Sequence, residues 1–237
     1  LLKISLSLYD RHIYQEVFMN YQAVIFDFNG TLIFDTPLHI KAWDTISKSL
    51  HCGPITLETI LTKYWGLNNI GLLKGLTDHR YTDEEYQQLS KKKEFLYRSY
   101  VKADPTCQLV HGVPTFFDYL KKEHIPFTIA SASIKENIDF YVHHFHLDQW
   151  IDPKSIVYDD GTYANKKEMY QQAKKNLKVQ DHILIFEDSI NGVKGALEIG
   201  ADVVAIDTPV LRSFHHPNIK AYIQDYQDIL SVLESGF

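Results

Sequence analysis

Ala23-Val24-Ile25-Phe26-Asp27-Phe28-Asn29-Gly30-Thr31, residues 23–31, opens with four apolar residues that stop on a carboxylate. A short apolar run bounded in this way is the pattern of a strand buried on both faces. Two further runs repeat it. Phe127-Thr128-Ile129-Ala130 stops at Ser131, and Ile183-Leu184-Ile185-Phe186 stops at Glu187-Asp188. A fourth run, Ala201 to Ile206, ends near Asp207. Helical spacing fills the intervals: Pro114 to Glu123, Lys135 to Phe145, Lys167 to Leu177, and Asn191 to Ile199 with Gly200 closing it. A last helix is expected over Ile219 to Leu233. Alternating strands and helices of these lengths predict an α/β fold, a Rossmann-like parallel sheet covered on both faces.

The stretch from Pro37 to about Cys107 breaks that rhythm. Leu38 to Leu50, Leu57 to Tyr64 and Thr82 to Tyr100 read as helices, and no strand pattern stands among them. An all-α cap over residues 36–107 is therefore expected inside a core made of residues 19–35 and 108–237. Residues 1–18, which do not begin with Met, read as an N-terminal extension outside the catalytic fold or, equally, as a terminal arm.

Composition narrows the function classes. Lys and Arg number 24 against 30 Asp and Glu, a net charge of −6, so a nucleic-acid partner is not expected. Lys91-Lys92-Lys93, with Glu84, Glu85 and Glu94 nearby, reads as a solvated helix face. Cys52 and Cys107 have neither disulfide nor zinc spacing and read as two reduced thiols. No run approaches the roughly 20 apolar residues of a membrane helix, and the first eight residues are too short and interrupted for a secretory signal. The expectation is a cytoplasmic protein without a membrane partner, monomer favoured.

In open parallel sheets, ligands bind beyond the carboxyl ends of the strands. Any one strand can end on a polar residue because a turn begins there. Here three end on Asp27, Ser131 and Glu187-Asp188, which parallel strands bring to one rim. Carboxylates that converge repel unless a cation sits among them, and oxygen ligands favour Mg²⁺.

These residues carry a resemblance. Asp27-Phe28-Asn29-Gly30-Thr31 resembles the first motif of the haloacid dehalogenase superfamily, Asp-x-Asp-Gly-Thr/Val. Ile129-Ala130-Ser131-Ala132-Ser133 is similar to the second motif, and Phe186-Glu187-Asp188-Ser189 with Gly192 to the fourth motif of the helical-cap members (family IA). The wording is closest to β-phosphoglucomutase-like phosphatases, which share the offsets of His39 and Trp43 from the nucleophile. The resemblance implies that Asp27 attacks phosphorus and forms an aspartyl-phosphate. It implies Mg²⁺ held by the Asp27 carboxylate, the Asn29 backbone carbonyl and Asp188, with Glu187 in support. Ser131, with Ala132 beside it, would bind the phosphoryl group, and Gly30 would let the backbone N–H groups there and at Thr31 face the phosphate. The motif lysine that balances charge has no Lys-Pro-x-Pro-Asp wording here. Lys166 takes the place in Asn165-Lys166-Lys167-Glu168, with Lys167 in reserve. Closure of the cap about hinges near 33–37 and 103–110 would exclude water.

Two departures bear on activity. The family's second aspartate, its general acid–base, is Asn29 here, and an amide does not exchange a proton at neutral pH. Such a loss typically removes about 10²–10⁴-fold in rate. Four readings stay open: a slow phosphatase suited to good leaving groups, a proton supplied elsewhere with His39 the nearest candidate, a protein that binds a phosphorylated ligand without turnover, or an Asn29 that was introduced or differs between variants. The family's cap motif Gly-x-Ser-Arg reads Gly66-Leu67-Asn68-Asn69, which removes a bidentate phosphate grip and argues against the alternative of a sugar-phosphate mutase. A metal-free dehalogenase would leave Glu187-Asp188 unexplained. The expected function is a Mg²⁺-dependent phosphohydrolase acting on a small phosphorylated metabolite and slowed by Asn29, the alternative being a weakened phosphate-ligand-binding protein.

Overall fold

The computed structural model describes residues 21–64 and 67–235. The 1–18 extension, the core start at 19 and Gly66 of the cap motif lie outside the described residues. The described residues divide into two compact units, one of residues 21–33 and 109–235, the other of 34–64 and 67–108.

The first unit is a six-stranded sheet in the order β3-β2-β1-β4-β5-β6, with every pairing parallel. Its strands are β1 (Ala23–Phe26), β2 (Phe127–Ile134), β3 (Val157–Asp159), β4 (Ile183–Glu187), β5 (Asp202–Ile206) and β6 (Ile219–Ile223). The strand order reverses direction about β1, which pairs with β2 on one side and β4 on the other. That is the switch point at which such sheets bind ligands. Register does the rest. Phe26 is level with Ile129 and Phe186, so Asp27, Ala130 and Glu187 come next on three adjacent strands. The Asp27 N–H donates to Phe186 O at 3.0 Å and carries the ladder one residue into the site.

Side chains of β1 alternate between two cores. Ala23 and Ile25 face a cluster with Ile183, Ile185, Met169, Tyr170, Ala173, Val193 and Ala196. Phe26 belongs to an aromatic cluster instead. It stacks on Phe186 at 4.9 Å and meets Phe117 edge-on at 5.1 Å, while Phe186 stacks on Tyr226 at 5.3 Å. Both faces of the strand are therefore apolar, which is why it reads as an unbroken run.

The helices of the α/β unit are α4 (Val113–Lys122), α5 (Lys135–His144), α6 (Lys166–Leu177), α7 (Ile190–Glu198) and α8 (Ile229–Ser235). The helix expected over Ile219 to Leu233 is corrected. Ile219, Ala221 and Ile223 alternate along β6, which pairs with the edge of β5, and the helix begins only at Ile229. The exposed backbone donors and acceptors of β5 are better met by a strand than by a helix lying beside them. The three-residue β3 had no sequence reading at all. At the root of the insertion the Val110 N–H donates to Leu32 O at 2.9 Å, so the two chain ends that lead to residues 34–108 are bonded to each other.

The second unit is helical, with no strand among its described residues. It contains α1 (Thr36–Ser49), a short turn of α-helix Leu57–Thr59 that continues as a π-turn Ile60–Tyr64, α2 (Asn69–Thr77) and α3 (Asp83–Ala103). Asn68 caps α2 by accepting from the Gly71 N–H at 2.8 Å, and Thr82 with Glu85 forms a capping box on α3. Trp43, Ile46, Ile55, Leu72, Leu73 and Tyr86 form its core.

The reading of Lys91-Lys92-Lys93 as a solvated face is corrected at its last member. Lys93 is 2% exposed. It donates to Glu94 Oε1 and lies against His39 Nδ1, each at 2.8 Å, and its ammonium faces the rings of Trp43 and Tyr97. Burial pulls its pKa below the usual lysine value, with Glu94 and Asp35 opposing.

Candidate active site

Asp27 is buried at the carboxyl end of β1, and its Oδ1 accepts from the Lys166 ammonium. Lys166 opens α6, where Asn165 caps the helix by accepting from the Glu168 N–H at 3.1 Å. From there the lysine reaches the Ala130 carbonyl at 3.1 Å and Glu187 Oε1 at 3.2 Å. Lys167 turns elsewhere and pairs with Glu198 at 3.2 Å. Helical rotation of about 100° per residue separates the two lysines, so only one can face the sheet end.

Glu187 is fully buried and saturated. Oε1 accepts from the Tyr170 hydroxyl at 3.0 Å as well as from Lys166, and Oε2 accepts from the backbone N–H groups of Asp188 and Ser189, both at 2.7 Å. Gly192 makes this enclosure possible. A Cβ there would overlap the Glu187 carboxyl and lie 2.6 Å from Oε2. Gly30 does the same for Asp188. It sits at φ +80°, and a Cβ would lie 2.6 Å from the Asp188 Cγ.

Asp27, Glu187 and Asp188 each bring one carboxylate oxygen within 4.8 Å of the others. Burial, with Glu187 adding to it and Lys166 opposing, pushes Asp27 up to about 6. Asp188 is raised well above the carboxylate range by burial, then by Glu187 and Asp27. Lys166 is raised: burial alone would lower it, and Asp27 with Glu187 more than reverses that. When all three carboxylates are ionised, they leave two negative charges against one ammonium, the balance a divalent cation would restore. The donor set fits a hard, oxygen-bound cation. Because Glu187 has both oxygens engaged, Asp27 and Asp188 are the carboxylates with capacity to ligate.

Asn29 is held from two sides. Its Oδ1 accepts from Ser133 Oγ at 2.8 Å and, at a long 3.5 Å, from Ser131 Oγ, while its Nδ2 donates to the Tyr141 hydroxyl at 2.9 Å. The Phe28 ring stacks on Tyr141 at 4.3 Å and fixes that hydroxyl. Ser131 is buried beside Asn29, whereas Ala132 is exposed at the rim.

The Gly30 N–H donates to Ile33 O at 2.8 Å and the Thr31 N–H to Phe28 O at 3.3 Å, so both are hydrogen-bonded within the loop that follows β1. The Thr31 side chain is fully buried. His39 belongs to the helical unit. Its Nε2 lies 3.1 Å from Asp35 Oδ2, its ring stacks on Tyr97 at 3.8 Å, and Lys93 sits at Nδ1.

Sequence reasoning missed Tyr170 and Tyr141, and it read Ser133 as a motif residue without a role. Tyr170 had a usable signal, since it lies one helical turn from Lys166 and so on the same face.

The haloacid dehalogenase-like hydrolase family matches residues 21–200, and the chain belongs to it. It is a hydrolase of that family by that match and by fold. Among solved structures, a family IA, variant 3 hydrolase from Entamoeba histolytica is 31% identical, with a TM-score of 0.80 over 90% of this chain and 99% of that one. A β-phosphoglucomutase from Clostridium difficile is 16% identical, with a TM-score of 0.73 over 91% and 98%, and speaks to the fold alone. Among curated proteins, a probable pseudouridine-5'-phosphatase from Saccharomyces cerevisiae is 24% identical over 89% of each chain. No described helix is long and apolar enough to cross a membrane.

Proposed function

We propose that the chain is a Mg²⁺-dependent phosphohydrolase of small phosphorylated metabolites that works through an aspartyl-phosphate on Asp27. The observation that carries the reading is the set of Asp27, Lys166, Glu187 and Asp188 at one strand edge, with its two unbalanced negative charges. The phosphatase named for the yeast relative supports the substrate class. Asp27, Asp188 and the Asn29 carbonyl would hold the cation, which when bound offsets the charge of a dianionic phosphate meeting an anionic nucleophile.

The Asp27 carboxylate attacks phosphorus and the bond to the leaving oxygen breaks. Lys166 lies against the nucleophile and supplies positive charge where phosphoryl oxygens gather. The Ser131 hydroxyl, which accepts from the Ser133 N–H and donates weakly to Asn29 Oδ1, would turn its proton to a phosphoryl oxygen at the same edge. The leaving oxygen then needs a proton, and the water that cleaves the acyl phosphate must lose one. Asn29 can do neither, and its amide is tied to Ser133 and Tyr141. Leaving groups that depart without a proton, such as carboxylates and nitrophenolates, are the ones this site would handle, and the water that cleaves the aspartyl-phosphate gives its proton to bulk solvent, which keeps that second step slow.

A second reading, a protein that binds a phosphorylated ligand without turnover, is favoured by those same amide hydrogen bonds. Phosphate release from acetyl phosphate and p-nitrophenyl phosphate with Mg²⁺ separates the two, using wild type, Asn29→Asp and Asp27→Ala. Hydrolysis by the wild type that Asp27→Ala abolishes is the expected result. A wild type no faster than Asp27→Ala, beside an Asn29→Asp variant that gains on the order of 10²-fold or more, gives the case to the binding reading.

A further inference from the structure

Tyr170 lies on α6 one turn beyond Lys166 and is completely buried. Its hydroxyl donates to Glu187 Oε1, the oxygen that also receives Lys166. The ammonium of Lys166 stands 5.5 Å from the centre of the Tyr170 ring. So two donors from one helix share one carboxylate oxygen, and the lysine divides itself between that oxygen and Asp27.

Resting on the phosphohydrolase reading above, we propose that Tyr170 is a positioning residue that acts through Glu187 to keep Lys166 on the nucleophile. Glu187 has four donors, two of them fixed backbone N–H groups on Oε2. The balance on Oε1 therefore decides how strongly Glu187 draws the lysine. With the phenol bonded, part of that oxygen's demand is met, and Lys166 is left for Asp27 and for the phosphoryl oxygens that arrive beside it. Without the phenol, Lys166 is the remaining side-chain donor to Oε1 and shifts toward Glu187. The wording of the third motif hides this role, because a tyrosine four residues after the lysine reads as core.

The test is Tyr170→Phe, which keeps the ring and removes only the hydroxyl, made in the wild type and in a Lys166→Met background. Two readouts are taken: kcat and KM for p-nitrophenyl phosphate with Mg²⁺, and calorimetric affinity for fluoroberyllate with Mg²⁺, a mimic of the aspartyl-phosphate that needs no turnover. In the wild-type background kcat falls roughly 10–100-fold with KM within about twofold, and fluoroberyllate affinity weakens in step. In the Lys166→Met background the second substitution changes fluoroberyllate affinity little, because its route is gone. Unchanged kcat and fluoroberyllate affinity in Tyr170→Phe would overturn the proposal. So would an equal loss of affinity in both backgrounds, which is what a merely structural role gives. A wild type that binds fluoroberyllate without releasing phosphate sinks the hydrolase reading alone, and the proposal is then decided on affinity. A wild type that does neither overturns both.

Discussion

Gly192→Ala is the substitution for which local propensity and tertiary structure predict opposite signs. Gly192 is the third residue of α7, and its N–H donates to Ser189 Oγ at 3.0 Å. Replacing a helical glycine by alanine ordinarily stabilises by about 1 kcal/mol. Here the added Cβ would overlap Glu187, a carboxylate with four donors and no room to turn. Displacing it breaks at least the two bonds from the Asp188 and Ser189 N–H groups. Hydrogen bonds to a charged group contribute about 1.5–3 kcal/mol each, so the loss is about 3–6 kcal/mol, and about 2–5 kcal/mol after the helical gain. For a chain of this size that corresponds to a drop of roughly 4–20 °C in Tm. Thermal unfolding followed by circular dichroism measures it. Gly71→Ala in α2 is the internal control: its Cβ would meet Leu67 Cβ and Asn68 Oδ1 at an ordinary 3.4 Å, so it should melt at or slightly above wild type. If Gly192→Ala melts at or above wild type, the account of Glu187 as an enclosed, saturated carboxylate is wrong.

Mg²⁺ should raise Tm more at about pH 7.5 than at about pH 5. Asp27 is raised from 3.8 to about 6 by burial, so the folded chain holds that proton more tightly than the unfolded one. The associated stability is present below about 4 and is lost as pH rises through about 6. A cation competes with the same proton, which costs it up to about tenfold in affinity per pH unit below 6. Equal Mg²⁺-induced shifts at both pH values would contradict this. In the helical unit, Lys93→Met should destabilise by about 3–5 kcal/mol by stripping the buried Glu94 of its ammonium, measured by urea unfolding. The exposed Lys91→Met, two residues earlier, should stay within about 0.5 kcal/mol, and similar effects of the two would refute the buried pair.

The central strands were legible because a parallel strand covered on both faces is apolar throughout, and β1 and β4 are flanked by strands on both sides. At the sheet edges that signal fades. β3 is three residues long with a neighbour on one side only, and Ile219 to Leu233 has apolar residues enough for either period until a strand partner chooses. Lys93 shows what residue type conceals and register reveals: it stands seven after Tyr86 and four before Tyr97, on the buried stripe that runs on to Val101. The carboxylates at the site were readable from where their strands end. The ties that hold Asn29 were not, because Ser133 and Tyr141 lie more than 100 residues away along the chain and reach it only through folding. Gly192 was visible as a motif residue, but its reason, a carboxyl pressed against its Cα, is a tertiary fact.

The bond between Val110 and Leu32 gives the insertion the character of an exchangeable part. The 75 residues from 34 to 108 leave and re-enter the α/β unit at one hydrogen-bonded point, so the sheet has already closed that loop on its own account. Shortening the excursion to a tight linker spans about four doublings of loop length, roughly 2.5 kcal/mol of closure entropy, and it falls on the favourable side. A sheet joined at such a root tolerates grafts, and the excursion can be exchanged while Asp27, Lys166, Glu187 and Asp188 keep their register.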